Sequence, residues 1–321
     1  MKTRSLLTYA AIVVFALWCG AIFRTDLARI SFASLWRLHQ AILVASAFSL
    51  LNYLLRALRW HHYLRRLGHH MTLRFVTLTY FAGFAFTLSP GKVGEMAKAQ
   101  YYRQTGVPLS DTAAAFFVER MLDVLAMAAL AALGLAALTR YTWLLAVVGA
   151  ALLTALLLLA AAPWAAWRQR LDTIGLSGAR RALLDSVLLM LLSARQLLQP
   201  RIVAGGFLLG LLSWALEGSG LLLLAQQLAP TVALGWGEAV SIYAIAIIVG
   251  ALSFLPGGLG STEAVMAALL SAHGYAPSDA IVITLLCRLV TLWLAVAVGW
   301  LAVAALRYSS APPLRPTGSQ R

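Results

Sequence analysis

The amino-acid sequence predicts an all-α, polytopic integral membrane protein. Of its 321 residues, 61% are hydrophobic and only 11% are charged, whereas about a quarter of the residues in a typical soluble domain are charged. Uncharged stretches at 6–23, 141–167 and 289–306 are each long enough to cross the roughly 30 Å hydrocarbon core of a bilayer as a helix. This composition excludes an ordinary water-soluble enzyme, and we expect residues 1–321 to form a single transmembrane domain.

Positive charges between the apolar stretches predict the topology. The net charge is +14, and most arginines lie in short runs between apolar segments, where they mark the cytoplasmic side. The densest run covers residues 59–74. Placing it in the cytoplasm puts the amino terminus and the tail at 307–321 there as well, and we expect this tail to be flexible. Basic runs of this kind bind anionic lipid at the membrane surface, so we expect no nucleic-acid partner.

The individual segments follow from this topology. The stretch 6–23 is expected to be a retained first helix, and 182–199 is interpreted as an interfacial helix, with a membrane crossing as the alternative. The segment 75–91 is predicted to be a re-entrant hairpin, because a third crossing between the basic runs that flank it would place one run outside. The other expected membrane segments are 41–58, 112–139, 141–167, 202–228, 239–255 and 281–306.

Residues that usually hold metals or cofactors are sparse. Cys19 and Cys287 lie in separate apolar segments, and the sequence has no Cys-x-x-Cys or Cys/His ligand spacing. We therefore expect no disulfide, no metal site and no cofactor. The sequence also has no ATP-binding or catalytic motif, so the protein is predicted not to be an enzyme.

Two broken apolar segments form an internal repeat. Residues 89–95, Ser-Pro-Gly-Lys-Val-Gly-Glu, match residues 255–263, Leu-Pro-Gly-Gly-Leu-Gly-Ser-Thr-Glu, which contain two additional residues. Beyond that insertion a constant offset of 168 residues relates the two copies. The matched pairs are Glu95 and Glu263, Gly106 and Gly274, Ser110 and Ser278, Asp111 and Asp279, and Arg120 and Arg288.

The two repeat cores are expected to be inverted relative to each other. They cover residues 75–139 and 239–306, and the predicted topology places the first hairpin on the cytoplasmic face and the second on the outer face. Inverted repeats with discontinuous helices are typical of transporters, whose substrate site lies near the midplane where the repeats meet.

The Pro-Gly breaks are the predicted binding site. Proline lacks an amide hydrogen and glycine lacks a side chain, so Pro90 and Pro256 are predicted hinges beside accessible backbone. A helix restarting near residues 93–95 would direct amide groups and a positive dipole end at a phosphate, and Lys92 would add a full charge. The alternative is a tight turn at each break, with Lys92 reaching to lipid headgroups. The remaining predicted headgroup contacts are Gly91, Gly257 and Gly258.

Ionisable residues inside apolar segments are functional candidates, because they are costly there unless paired or hydrated. Arg120 and Arg288 are predicted to contact the headgroup. Their predicted counter-charges are Glu95 and Glu263, so that carboxylate and phosphate compete for one guanidinium. The alternative is a permanent ion pair that fixes helix packing. Further counter-charge or gating candidates are Glu119, Asp123 and Glu217. Asp123 and Glu217 are also candidates for coupling to an ion gradient. The alternative for Glu217 is that it makes hydrogen bonds that pack its helix against another.

Other polar residues receive simpler interpretations. The histidines at 61–70 lie beside Trp60 and Tyr63 in the basic run, and we interpret this run as an interfacial anchor rather than a metal site or proton relay. Asp111 and Asp279 follow serines and precede long helices, so they are predicted to be helix caps.

The repeat motifs resemble a known family. Each Pro-Gly break is followed by a helix with an internal arginine, Arg120 or Arg288, and this arrangement resembles the lysylphosphatidylglycerol synthase transmembrane, or flippase-like, family. The resemblance covers nearly the whole chain, and the family includes the lipid-flipping half of the multiple peptide resistance factor. It implies a bacterial inner-membrane protein that moves a lipid with a polar or anionic headgroup between leaflets. Such a lipid could be a phospholipid, a polyprenyl-phosphate glycolipid or a hopanoid.

The resemblance also implies the partners. The first is a membrane lipid with an anionic headgroup, and the others are a second copy of the chain or a lipid-biosynthesis enzyme. The alternative function is a membrane-embedded transferase, or an accessory subunit of one, that acts on a lipid-linked substrate. Paired carboxylates and arginines in a membrane pocket could serve general-base chemistry on a phosphate.

Overall fold

The computed structural model describes residues 38–135, 142–173 and 178–308, together with Arg24 and Trp36. Every regular element in these ranges is helical, with 3-10 helices at Pro90–Lys98 and Pro256–Gly258 and a π-helical turn at Leu289–Trp293. The predicted first helix at 6–23 and the tail at 309–321 lie outside the described residues. The α-helices are α1 His39–Arg66, α2 Leu73–Phe84, α3 Ala99–Gln104, α4 Leu109–Leu135, α5 Thr142–Ala161, α6 Trp164–Thr173, α7 Gly178–Leu197, α8 Pro200–Leu228, α9 Trp236–Leu252, α10 Ser261–Ala272, α11 Pro277–Arg288 and α12 Leu294–Tyr308.

Long apolar helices confirm the predicted fold class. Within the described ranges, three helices are long and apolar enough to cross a membrane: His39–Arg66, Pro200–Leu228 and Pro277–Tyr308. The last of these is continuous through α11, the π-helical turn and α12. The chain is therefore an all-α membrane protein.

Helix α1 is longer than the predicted segment at 41–58. It continues to Arg66, so the start of the basic run is helical, and Arg59, Trp60 and Tyr63 are all buried. Trp60 and Tyr63 therefore pack inside the bundle, whereas an interfacial anchor formed by the histidines at 61–70 stays a prediction. Tyr63 follows Arg59 and Trp60 by four and three positions, so the three residues lie on one side of the helix, and α1 packs against α2, α4 and α8.

Prolines and glycines divide other predicted segments. The stretch 141–167 is two helices, because α5 ends at Ala161 and α6 begins at Trp164 after Pro163, whose ring cannot continue a helix. The α-helix expected to restart near residues 93–95 is also absent there, and α-helical geometry begins at Ala99 after the 3-10 helix. Gly94 has low helix propensity, and its amide donates to the Ser89 hydroxyl at 2.6 Å.

Two segments need smaller adjustments. Helix α12 continues through Tyr308, so residues 307 and 308, which were assigned to the predicted tail, are helical. The stretch 182–199 lies mostly in α7, which runs from Gly178 to Leu197; whether it crosses the membrane or lies on it stays a prediction.

Helix α4 connects two of the apolar clusters in the described ranges. Val118 and Leu122 belong to a cluster with α1, α2 and α7. Leu130 and Ala131, two to three turns later, belong to a cluster with α8, α9 and α11. The polar residues between these positions are therefore held in the middle of the bundle, close to α1 and α8.

The two repeats share the same order of elements and touch at their breaks. Each runs through a helix, a 3-10 break, a second helix and a long final helix. Gly257 adopts a φ of 62°, and a Cβ built there would lie 2.5 Å from Leu88 Cδ2 of the first repeat. Only glycine tolerates this conformation and contact without strain. The inverted orientation of the repeats and the re-entrant character of the hairpins stay predictions.

Candidate functional site

A group of charged side chains, which we call the charged cluster, lies inside the bundle between α1 and α4. It consists of Arg56 and Arg59 from α1 and Glu119, Arg120 and Asp123 from α4. The α1 pair is three residues apart and the α4 acids are four apart, so each set projects from one helix face. Two adjacent helices thereby bring five ionisable groups together.

Arg59 makes the shortest contacts of the charged cluster. Its Nη2 donates to Asp123 Oδ1 at 2.6 Å and to Glu119 Oε1 at 3.2 Å, and its Nη1 donates to the Gly206 carbonyl of α8 at 3.1 Å. The side chain is 1% exposed. Arg59 therefore connects α1, α4 and α8. This geometry is that of an ion pair with a permanent structural role.

Arg56 is buried but is held less closely. Its Nε and Nη2 lie 3.7 Å from Glu119 Oε1 and Asp123 Oδ2 respectively, beyond hydrogen-bonding distance. Neither atom donates a hydrogen bond within the described part of the chain. The guanidinium also lies 5.3 Å from the Trp214 ring centre and 5.7 Å from that of Phe84, at cation–π distance. A buried guanidinium with unused donors is suited to receive an anion.

Arg120 is the cluster member nearest the surface. Its Nη2 lies 3.2 Å from both Glu119 Oε2 and Asp123 Oδ2, and its side chain is 22% exposed while the two carboxylates are almost fully buried. The described cluster thus has three guanidinium groups and two carboxylates. In a medium of low dielectric, the remaining positive charge favours a bound anion.

Lys98 lies beside the charged cluster in an aromatic box. Its ammonium nitrogen is 3.7 Å from the ring centre of Trp60, 4.2 Å from Tyr80 and 5.7 Å from Phe116, and the residue is 1% exposed. The Tyr80 hydroxyl donates to Glu119 Oε1. This box adds a buried ammonium group and connects it to the charged cluster through Tyr80.

The second repeat brings together several predicted residues. Arg288 Nε donates to Glu263 Oε1 at 2.5 Å, and its Nη2 donates to the Gly257 carbonyl at 2.7 Å. Glu263 Oε2 accepts the Gly260 amide at 2.6 Å. Gly258 has a φ of 66° in the same break. Arg288 therefore contacts both the 3-10 break and the first turn of α10.

The matching residues of the first repeat are arranged differently. The ion pairs of Arg120 are with Glu119 and Asp123 of its own helix, whereas Glu95 is buried and accepts the Thr87 hydroxyl at 2.9 Å. The side chains of residues 90–93, which include the predicted Pro90 and Lys92, lie outside the described part of the structure.

Glu217 lies on α8 in a separate polar network. Its two carboxylate oxygens accept Asn52 Nδ2 at 2.9 Å and the Tyr243 hydroxyl at 2.6 Å. Asn52 Nδ2 also donates to the Ser213 carbonyl at 3.0 Å. The network joins α1, α8 and α9 inside the bundle, and Glu217 is 4% exposed.

Asp111 contacts two other segments in addition to its position at the start of α4. One carboxylate oxygen lies 2.6 Å from His69 Nε2, and the other accepts the Ser193 hydroxyl at 2.6 Å. Asp111 thus connects the α1–α2 loop to α7, a contact that the predicted capping role does not include. No group of three or more metal-ligating side chains occurs among the described residues.

Sequence reasoning missed Arg56, Arg59 and Lys98. Arg56 interrupts the apolar stretch 41–58, and it precedes Arg59 by three residues, so the pair could have been matched to the acids on α4. The positive-inside rule instead assigned Arg59 to a cytoplasmic run, because that rule counts charges and cannot identify their partners.

Comparison with known proteins identifies similarity over most of the chain. Residues 5–299 match the family model described as the lysylphosphatidylglycerol synthase TM region. A UPF0104 membrane protein from Methanothermobacter thermautotrophicus is 37% identical over 93 residues. That alignment covers 29% of this chain and 27% of the archaeal protein, so the chain aligns with about a quarter of that relative.

Proposed function

Because this chain belongs to the lysylphosphatidylglycerol synthase transmembrane region family, which links it to lipid handling, we propose that it is a lipid translocase. It moves a lipid with an anionic headgroup between leaflets, and the charged cluster receives the headgroup. The observation that carries the proposal is the buried Arg56, whose Nε and Nη2 donate no hydrogen bond within the described residues.

The charged cluster favours a phosphate over a neutral ligand. Without the lipid, Glu119 and Asp123 hold the guanidinium groups in place. A phosphate oxygen entering beside Arg56 and Arg120 would accept charge-assisted hydrogen bonds, which are roughly twice as strong as neutral ones. Since the site is already surrounded by fixed charges, the headgroup exchanges water for prearranged donors as it leaves the membrane surface.

The breaks of the two repeats supply the moving part. Leu88 of the first repeat contacts Gly257 of the second, and Arg288 holds the Gly257 carbonyl. Rocking of the repeats about this contact would open the cluster first to one leaflet and then to the other. Lys92, predicted beside the first break, would guide the headgroup.

Uphill movement requires coupling, and Glu217 is the better of the two predicted candidates. Asp123 is ion-paired with three guanidinium groups and acts as a fixed counter-charge. Glu217 instead accepts hydrogen bonds from an amide and a phenol, which hold it in position on α8. We assign the coupling role to Glu217.

The function is tested with purified protein in liposomes containing a fluorescent phosphatidylglycerol or phosphatidylcholine. A membrane-impermeant quencher then reports the outer-leaflet fraction over time. We expect faster equilibration of phosphatidylglycerol, and loss of that rate in Arg120→Ala. The matched control is Arg195→Ala, which removes an exposed arginine from α7.

Two results would overturn the proposal. One is a rate in Arg120→Ala equal to that of the wild type. The other is a new lipid species in the mass spectrum of the extracted lipids, which would indicate the membrane-embedded transferase.

A further inference from the structure

An apolar cleft lies between α4, α5 and α6, next to the charged cluster. Its volume is about 580 Å³, within the range of roughly 300–1,000 Å³ that is usual for ligand sites. Its walls include Phe117, Met121, Leu158, Leu159, Trp164 and Trp167. The break between α5 and α6 borders the cleft, because Ala161, Ala162 and Trp164 on either side of Pro163 line it.

Helix α4 places the cleft and the charged cluster on adjacent faces. Phe116 and Arg120 are one turn apart, and the Arg120 guanidinium lies 5.4 Å from the Phe116 ring centre. Phe117 and Met121, which directly follow Phe116 and Arg120 in the sequence, line the cleft. Consecutive residues of a helix are separated by about 100°, so Arg120 lies on the face of α4 next to the one that lines the cleft. It is also the cluster member with 22% of its side chain exposed.

One end of the cleft has the composition of a membrane interface. The rings of Trp164 and Trp167 are 4.9 Å apart in an edge-to-face arrangement, and Trp164 Nε1 donates to the Leu159 carbonyl at 2.7 Å. Arg168 follows directly, with its Nε 2.7 Å from Asp185. Tryptophan next to arginine is typical of the headgroup level. The cleft therefore runs from this level along apolar residues of α4 and α5.

We propose that the cleft holds one hydrocarbon chain of the transported lipid while its anionic headgroup reaches the charged cluster past Arg120. The proposal rests on the proposed function and adds the lateral entry route. A hydrocarbon chain suits the cleft because the lining side chains are apolar, and the Arg120 cation on the adjacent face of α4 complements a phosphate. The two parts of one amphipathic ligand thus meet the two faces of α4.

The test uses the full-length protein in liposomes with phosphatidylglycerol or phosphatidylcholine that carries a diazirine on one acyl chain. After irradiation, the labelled peptides are identified by mass spectrometry. We expect phosphatidylglycerol to label the peptides of α4 and α5 that line the cleft, at least five-fold more than phosphatidylcholine. Arg120→Ala should remove this preference.

A substitution that fills the cleft provides the second arm. Ala162→Trp should reduce cleft labelling and phosphatidylglycerol movement at least ten-fold. The matched control, Leu157→Trp, adds the same ring to an exposed position on α5 outside the cleft lining and should change neither. If Ala162→Trp does not fold, a photoreactive benzoylphenylalanine at position 158 replaces it and should crosslink to lipid.

The outcomes separate the cleft from the function. Lipid movement at the wild-type rate in a folded Ala162→Trp protein, with no cleft labelling in the wild type, overturns the cleft proposal and leaves the translocase intact. Crosslinks from position 158 to residues 1–23 also overturn it, because a segment of this chain would then occupy the cleft. Equal labelling by both lipids overturns the link between the cleft and the charged cluster.

Discussion

The two arginines on α1 should differ in what they do, and replacing each by methionine separates their roles. Methionine retains an unbranched stem of similar shape while removing the charge. Arg59 donates to Asp123, Glu119 and the Gly206 carbonyl. Arg56 approaches the same carboxylates only at 3.7 Å.

The magnitudes follow from these contacts. Arg59→Met breaks a buried pair and leaves Asp123 Oδ1 without its closest donor, which typically costs about 3–5 kcal/mol. Arg56→Met leaves two guanidinium groups facing two carboxylates among the described cluster residues, so the charges balance. We expect it to destabilise the protein by about 1 kcal/mol or less, while lipid movement falls at least ten-fold.

The assay is reversible unfolding in detergent or bicelles, together with the fluorescent-lipid assay on the same preparations. The stability difference between the variants is the critical quantity. Equal destabilisation by the two substitutions, or a folded Arg56→Met protein that moves phosphatidylglycerol at the wild-type rate, would refute the assignment of separate structural and binding roles.

Three further predictions concern the second repeat and its surroundings. Gly257→Leu should slow lipid movement and destabilise the protein by about 1–3 kcal/mol, because φ is 62° at this position and the new Cβ would collide with Leu88. Adding Leu88→Ala should partly restore the rate. If it does not, backbone strain alone explains the effect. Arg288→Lys keeps the charge but cannot reproduce the contacts with Glu263 and the Gly257 carbonyl. We therefore expect a large loss in the rate of lipid movement and a smaller effect on thermal stability. An unchanged rate would contradict this. Glu217→Gln should leave lipid equilibration intact but abolish its response to an imposed proton gradient, measured in the same liposomes at two internal pH values; a retained response would remove Glu217 from coupling.

The apolar pattern of the sequence predicted the fold class, because a membrane segment must be long and uncharged to be stable in lipid. Helix ends were less predictable where one apolar run contains a break, as at Pro163, or where a helix continues into charged sequence, as in α1. In α1 the continuation is stabilised by partners on α4 and α8, and those partners are more than 50 residues away in the sequence.

Only part of the site could be predicted from residue spacing. Arg288 and Glu263 were expected together, and Arg288 Nε lies 2.5 Å from Glu263 Oε1. The equivalent Arg120 instead pairs with Glu119 and Asp123 of its own helix. Arg56 and Lys98 were missed because several different helices contribute their surroundings. An ion pair between α1 and α4, or an aromatic box built by Trp60, Tyr80 and Phe116, has no signature in local spacing.

A density map of the protein in phosphatidylglycerol nanodiscs would show whether guanidinium groups in the bundle bind a lipid phosphate. We expect phosphate density within hydrogen-bonding distance of Arg56 and Arg120, and its loss in Arg56→Met. A well-resolved charged cluster in which those arginines contact only Glu119 and Asp123, in nanodiscs whose lipid the protein moves, would contradict it.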